Sequence, residues 1–296
     1  MAETHGRSLI SNFDLKRPTV RIGYYIIFLL ACLMALIMIY PLLWVFFSAL
    51  KGPREVYLIP PTLLPKEWNW ANYKEAWEAF NIPKYTLNTF VLFGGILISK
   101  LTVTTLASYS LSVMDLPWKR GFLFLFLSTL MVPALAHMIP SYLVLQNLPI
   151  FHINLLNTYW AFWLPAGADA FAIFLLKGFF DGIPRDLFEA ARIDGASEFR
   201  ILMTIMLPLS KPILATLSIF CFMGVWRDFF WPMVVLSESR LWTIMVAIYN
   251  FVFQSRVYTV NIHLAAGLIT TIPPMLVFLF FQRYIIQGVT FTGLKG

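Results

Sequence analysis

The chain has 296 residues, 59% of them hydrophobic and only 12% charged, with a formal net charge of +7. Soluble domains are about 45–50% apolar and about 25% charged, so this composition excludes a soluble globular fold and specifies an integral membrane protein. In such a chain the positive excess is first an orientation signal and not a nucleic-acid surface, and no aromatic-basic RNA motif or zinc-ligand spacing accompanies it.

Residues 1–21 are polar and carry Arg7, Lys16, Arg17 and Arg21. Six apolar runs follow, roughly 22–50, 86–113, 121–146, 156–180, 209–236 and 262–286, each near or above the ~20 residues that cross a bilayer. Backbone groups in lipid must be paired internally, so these runs are expected as helices. The first run is too long for a cleavable signal and lacks a small-residue cleavage site, so it is expected as an uncleaved anchor. Cys32 and Cys221 lie in apolar runs and read as buried hydrophobes, not a disulfide. With both termini inside, twelve Lys and Arg fall in inside segments against seven outside, which favours that orientation.

The outside segment 51–85 interleaves Trp68, Trp70, Tyr73 and Trp77 with Lys and Glu. It reads equally as an aromatic belt at the membrane surface and as a contact for an external binding protein, and the two are compatible. The second run opens with Asn88-Thr89, holds Lys100 among threonines, and closes with Leu106-Ala107-Ser108-Tyr109 before Pro117, Lys119 and Arg120. Between the fourth and fifth runs lies a polar stretch with Asp181, Arg185, Asp186, Glu189, Arg192, Asp194, Glu198 and Arg200. Such a charge cluster belongs in water or against a partner. Pro184 with Asp186 and Glu189 suits a helix start, Asp194-Gly195 a stop, and Ser197 the cap of a second helix from Glu198. Phe199, Leu202, Ile205 or Met206, and Leu209 give that helix an apolar face, and Pro208 and Pro212 break or kink the chain at its far end.

Glu189-Ala190-Ala191, Asp194-Gly195-Ala196, Phe199, Ile205, Leu207-Pro208 and Pro212 resemble the EAA loop of ABC importer permeases. An ordinary interfacial amphipathic helix would not explain the Ala pair and the Gly at those offsets. The end of the second run and the terminal Thr292-Gly293-Leu294-Lys295-Gly296 resemble the maltose-type, carbohydrate-importing subclass, so the likeness spans essentially the whole chain. It implies an all-α integral membrane protein of six transmembrane helices with a cytoplasmic two-helix coupling loop. The implied organisation is 1–84 (N-terminal segment, first helix and external loop), 85–287 (transmembrane core) and 288–296 (cytoplasmic tail). Glu189, Ala190, Ala191, Asp194, Gly195, Ala196, Phe199 and Pro208 would dock on an ATPase subunit, with Thr292, Gly293 and Lys295 of the tail touching it as well. The implied partners are a second permease, two ATPase subunits, an external or periplasmic sugar-binding protein and the lipid bilayer.

No G-x-x-x-x-G-K-[ST] phosphate loop is present, so no cofactor is expected in this chain, and ATP and Mg would be bound by the partners. The protein is therefore expected to be a permease and not an enzyme; His5, His137, His152 and His263 are scattered and form no catalytic motif. Charges inside spans mark pathways or ion pairs. Lys100 reads first as a structural pair with Asp169 or Asp228. Trp226-Arg227-Asp228-Phe229-Phe230-Trp231-Pro232 resembles a family stretch with Asn after the Trp, so Arg227 is a departure. Trp226, Arg227, Asp228, Asn88 and Lys100 are the candidate pathway residues. Arg227 reads either as a structural pair with Asp228 or Asp169, or as a partner for a substrate carboxylate, which would make the cargo an acidic glycan in place of a neutral oligosaccharide. An ion-coupled secondary transporter is the alternative; it would use Lys100, Asp169 and Arg227 for coupling and would carry inverted repeats, and none is evident.

Overall fold

A computed structural model describes residues 18–133, 135–254 and 258–292. In chain order its helices are α1 (Pro18–Leu50), α2 (Ala71–Ala79), α3 (Ile82–Ser112), α4 (Lys119–Thr129), α5 (Met138–Gln146), α6 (Trp160–Trp163) and α7 (Ala170–Asp181). There follow α8 (Asp186–Ile193), α9 (Glu198–Leu209), α10 (Lys211–Arg227), α11 (Phe230–Val235), α12 (Ile244–Gln254) and α13 (Val260–Thr292). Among the described residues no strand forms beyond one isolated bridge between Leu148 and Ile153, so the all-α expectation holds.

Among the described residues four helical stretches are long and apolar enough to cross a membrane: Pro18–Leu50, Ile82–Ser112, Trp160–Phe180 and Val260–Gln282. The α9 and α10 pair makes a fifth if counted as one span, although it bends by 77°. The run expected as a third span, 121–146, instead folds as α4 and α5, of 11 and 9 residues. The turn between them contains Pro133, which lacks the donor a continuing helix needs. The run expected at 209–236 breaks too: Asp228 is extended (φ −74°, ψ 118°) and separates α10 from α11.

The chain divides into two compact units. The smaller comprises residues up to Tyr73 together with Thr259–Leu268. Its α1 exposes Ile27, Leu29, Met38 and most other apolar side chains over its lipid-length middle, which requires an apolar surrounding. Beyond Leu50 the chain is stapled by side chains. Asn72 Nδ2 donates to Ala49 O at 2.8 Å and Lys51 O at 3.1 Å, and Glu55 accepts from Thr62 Oγ1 (2.8 Å) and Lys66 N (3.0 Å). Lys51 is buried and donates to the Thr62 carbonyl, so its charge is solvated by backbone.

The larger unit, Lys74–Tyr258 with Ile269–Gly296, is organised on α3. At ~1.5 Å per residue its 31 residues run about 46 Å, longer than the ~30 Å hydrocarbon layer. Near its start Leu92 joins Leu145, Ala161, Phe162, Val235 and Leu236 in one core. Near its end Tyr109 joins a second core with Leu176, Phe180, Phe188, Ile201, Leu202, Met206, Ile213 and Leu217. Small residues let neighbours approach α3. A Cβ on Gly95 would lie 2.2 Å from the Trp163 indole, and one on Gly167 would lie 2.7 Å from Val103. Ser108 Oγ donates to Ile173 O at 2.9 Å, an interhelical bond of the kind that holds helices together in lipid.

Candidate functional site

The polar stretch after α7 folds as two helices meeting at a sharp corner. α8 ends in a paired backbone closure: Ala196 N donates to Ala191 O at 2.9 Å and Gly195 N donates to Arg192 O at 3.0 Å. This is the Schellman arrangement, which needs a left-handed residue after the helix, and Gly195 supplies it at φ +78°. Ser197 Oγ accepts from Arg200 N at 3.3 Å and caps α9. Leu202–Met206 of α9 is a single π-helical turn, and Thr204 Oγ1 donates back to Arg200 O in the preceding α-helical turn at 2.7 Å.

One side of the corner is anchored. Phe188, Ile201, Leu202 and Met206 are buried in the second core, with Ala191 and Ala196 packed against it. Glu198 ties the corner to α3. It accepts from Arg192 Nε at 2.8 Å and Nη2 at 3.3 Å, and from Tyr109 Oη at 2.5 Å. The Arg192 guanidinium, and then the Tyr109 hydroxyl, hold the Glu198 carboxyl below its usual pKa. Below the corner, Asp181 accepts from Ser112 Oγ at 2.6 Å and pairs with Lys177 Nζ at 2.5 Å, while Lys119 Nζ donates to Ser112 O at 2.8 Å. The sequence reading missed these ties from α3, since Tyr109 and Ser112 lie 89 and 69 positions from their partners.

The other side is bare. Glu189, Ala190, Asp194, Gly195 and Pro208 are exposed, with apolar Leu187, Ile193 (86%) and Phe199 (65%) standing in solvent. Exposed apolar groups on a charge-bearing corner make it a candidate docking surface. At the chain's other end α13 reaches Thr292. Gly293 and Lys295 lie outside the described residues.

The structure does not gather the pathway candidates into one place. Asn88 Nδ2 donates to Arg240 O at 2.8 Å and Trp242 O at 3.0 Å, which fastens the 236–243 segment. Lys100 is twelve positions further along α3, about 18 Å away, and its Nζ lies 2.6 Å from Asp169 Oδ2. This is the structural pair first expected for Lys100. Asp169 also caps α7 through Ala172 N at 2.9 Å. Trp226 is buried (3%), donates to Thr270 O at 3.1 Å and packs on Phe222 and Phe90, which leaves its faces to the protein. Arg227 at the end of α10 is exposed and makes no ion pair among the described residues. Asp228 caps α11, its Oδ1 accepting from Trp231 N at 3.3 Å. Neither Asp169 nor Asp228 forms an ion pair with Arg227.

On the smaller unit Trp68 and Trp70 stack with centroids 6.4 Å apart at 26°, and both are more than half exposed. Phe46 and Tyr73 join this cluster, with Tyr73 Oη donating to Phe46 O at 3.4 Å.

Residues 104–291, which include the corner and the α10–α11 break, match the family described as binding-protein-dependent transport system inner membrane component. The chain is 33% identical over 265 residues to the diacetylchitobiose uptake system permease protein NgcG of Streptomyces coelicolor, covering 88% of this chain and 85% of that protein. It is 34% identical over 260 residues to the sn-glycerol-3-phosphate transport system permease protein UgpE of Yersinia enterocolitica, covering 86% and 91%. The fold also matches a crystal structure of a bacterial ABC transporter involved in the import of the acidic polysaccharide alginate. The TM-score is 0.80 at 24% identity, over 90% of this chain and 98% of that one. A second structure, of a bacterial alginate ABC transporter in complex with alginate pentasaccharide-bound periplasmic protein, matches with a TM-score of 0.63 at 16% identity, over 90% of this chain and 94% of that one. The apolar helices and the matched residues agree that the chain belongs to the inner-membrane components of binding-protein-dependent transport systems, the permeases of ABC importers.

Proposed function

We propose that this permease forms one half of the translocation pathway of a carbohydrate importer. It pairs with a second, homologous permease, two ATPase subunits that hold ATP and Mg, and an external or periplasmic sugar-binding protein. With the bent α9–α10 pair counted as one crossing and the broken α4–α5 stretch as another, six spans put both termini in the cytoplasm, with 85–287 as the transmembrane core. The corner between α8 and α9 is the coupling loop: Glu189, Ala190, Ala191, Asp194, Gly195, Ala196, Phe199 and Pro208 meet the ATPase, and the tail from Thr292 reaches it too. The observation that carries this reading is the two-sidedness of the corner, apolar and bare outside, yet locked inside to α3 and α7 by Phe188, Ile201 and the Glu198 bonds. A partner that pulls such a lever moves the spanning helices with it. Closure of the ATPase dimer on ATP drives the pathway from inward- to outward-facing, by the difference in affinity between the two states.

The carbohydrate assignment is supported by the diacetylchitobiose permease and by the alginate importer. A second reading, an acidic glycan, is favoured by one feature of this chain. Arg227 stands exposed at a helix break without an acidic partner among the described residues. A guanidinium pairs a carboxylate bidentately, and a uronate would supply that carboxylate. The test is uptake into proteoliposomes holding the whole complex with its binding protein. Oligosaccharide uptake should require internal ATP and be indifferent to proton or sodium gradients. Uptake driven by either gradient without ATP would overturn the proposal in favour of an ion-coupled transporter.

A further inference from the structure

Beside the break between α10 and α11 lies a cavity of about 590 Å³, within the ~300–1,000 Å³ range of small-molecule sites. Its walls are mainly apolar, with Phe230, Trp231 and Val144 among them, and its polar side chains are His137, Ser141 and Asp228. Asp228 meets no cation among the described residues. A carboxylate accepts at about four sites, and capping Trp231 leaves acceptor capacity at the wall.

We propose that this cavity is a glycosyl subsite of the importer, and that the sugar unit it takes is neutral. The inference rests on the carbohydrate-transport reading above. A sugar ring is two-sided, with C–H groups on its faces and hydroxyls at its edge. The aromatic walls suit the faces, and the Asp228 carboxylate, which only accepts, suits the hydroxyls, with Ser141 and His137 able to donate or accept. A uronate carboxylate at the same place would set two like charges together in an apolar box, and the Arg227 guanidinium next in the chain is not among the cavity's lining side chains. The helix break makes the site: an unbroken α10 would keep its own backbone bonds and carry Asp228 as an ordinary helical residue. Here it is extended instead and caps α11 from the cavity wall.

The test uses the assembled transporter with its binding protein, Cys32 and Cys221 replaced by Ala. Ser141→Cys and, independently, Val144→Cys place a thiol on the wall one helical turn apart. Alkylation by N-ethylmaleimide is followed with a non-hydrolysable ATP analogue and with maltotriose, chitobiose or an alginate trisaccharide, each also assayed for ATP-driven uptake. A neutral sugar that is taken up should slow alkylation at one or both positions at least tenfold. Asp228→Ala or Trp231→Ala should remove that protection. Uptake without protection at either position, protection unchanged in both variants, or protection by the alginate trisaccharide alone would overturn the subsite and leave the transport reading standing. Absence of ATP-driven uptake for every sugar would overturn both.

Discussion

Gly195 offers the sharpest perturbation, because its surroundings separate two causes that usually act together. A Cβ built there meets nothing within 4 Å, so a side chain has room inside this chain. The constraint is the backbone alone, at φ +78°. The left-handed conformation costs an ordinary L-residue roughly 1–2 kcal/mol, Asn less, and a β-branched residue more. At about 1.4 kcal/mol per tenfold, Gly195→Ala should weaken the closed corner about 5- to 30-fold, Gly195→Asn by clearly less, and Gly195→Val by more than Ala. The loss should fall on the two closing bonds, Ala196 N to Ala191 O and Gly195 N to Arg192 O, and so on the geometry offered to the ATPase. The assay is titration of purified permease with its ATPase subunit, together with uptake per ATP hydrolysed, with membrane insertion checked separately. Affinity and coupling should fall in the order Gly, Asn, Ala, Val at equal insertion. Normal affinity and uptake for Val would refute the corner's role. An Asn variant worse than Ala would show that bulk against the partner, not the dihedral, is what Gly195 avoids.

Three other perturbations have defined outcomes. Removing Thr292–Gly296 should lower substrate-stimulated ATPase activity in reconstituted vesicles without changing insertion, and unchanged stimulation would rule out a functional tail contact. Arg227→Asn should reduce uptake of a uronate oligomer at least tenfold more than that of a neutral one if the acidic reading holds; an equal loss, or none, would exclude it. Breaking the part-buried Lys100–Asp169 pair with Lys100→Met should cost about 1–3 kcal/mol, because Asp169 Oδ2 loses its donor in an apolar setting. Adding Asp169→Asn, which retains an acceptor for the Ala172 cap, should recover part of that loss in thermal melts of the purified subunit.

The sequence by itself determined the class of the protein, because apolar runs longer than a bilayer is thick admit only spanning helices. It also determined the two-helix corner, because its cap and its stop are set by residues within one or two turns of each other. The terminator Asp194-Gly195 and the cap Ser197 needed no distant partner to be read, whereas the split of the expected apolar face into exposed Phe199 and Leu209 and buried Leu202 and Met206 was decided by packing. What the corner is fastened to was decided only by tertiary structure: no local rule links Glu198 to Tyr109 or Asp181 to Ser112. The division of the expected third span into α4 and α5 was decided there too, since a proline within an apolar run permits either a kinked span or a break. The same holds for the intramembrane charges. Composition offers Lys100 and Arg227 the same two acids. The packing of α3 against α7 gives Asp169 to Lys100, and the break after α10 turns Asp228 into a cap, which leaves Arg227 exposed. Ion pairs over such separations are chosen by the relative placement of helices, which hydrophobic periodicity does not encode.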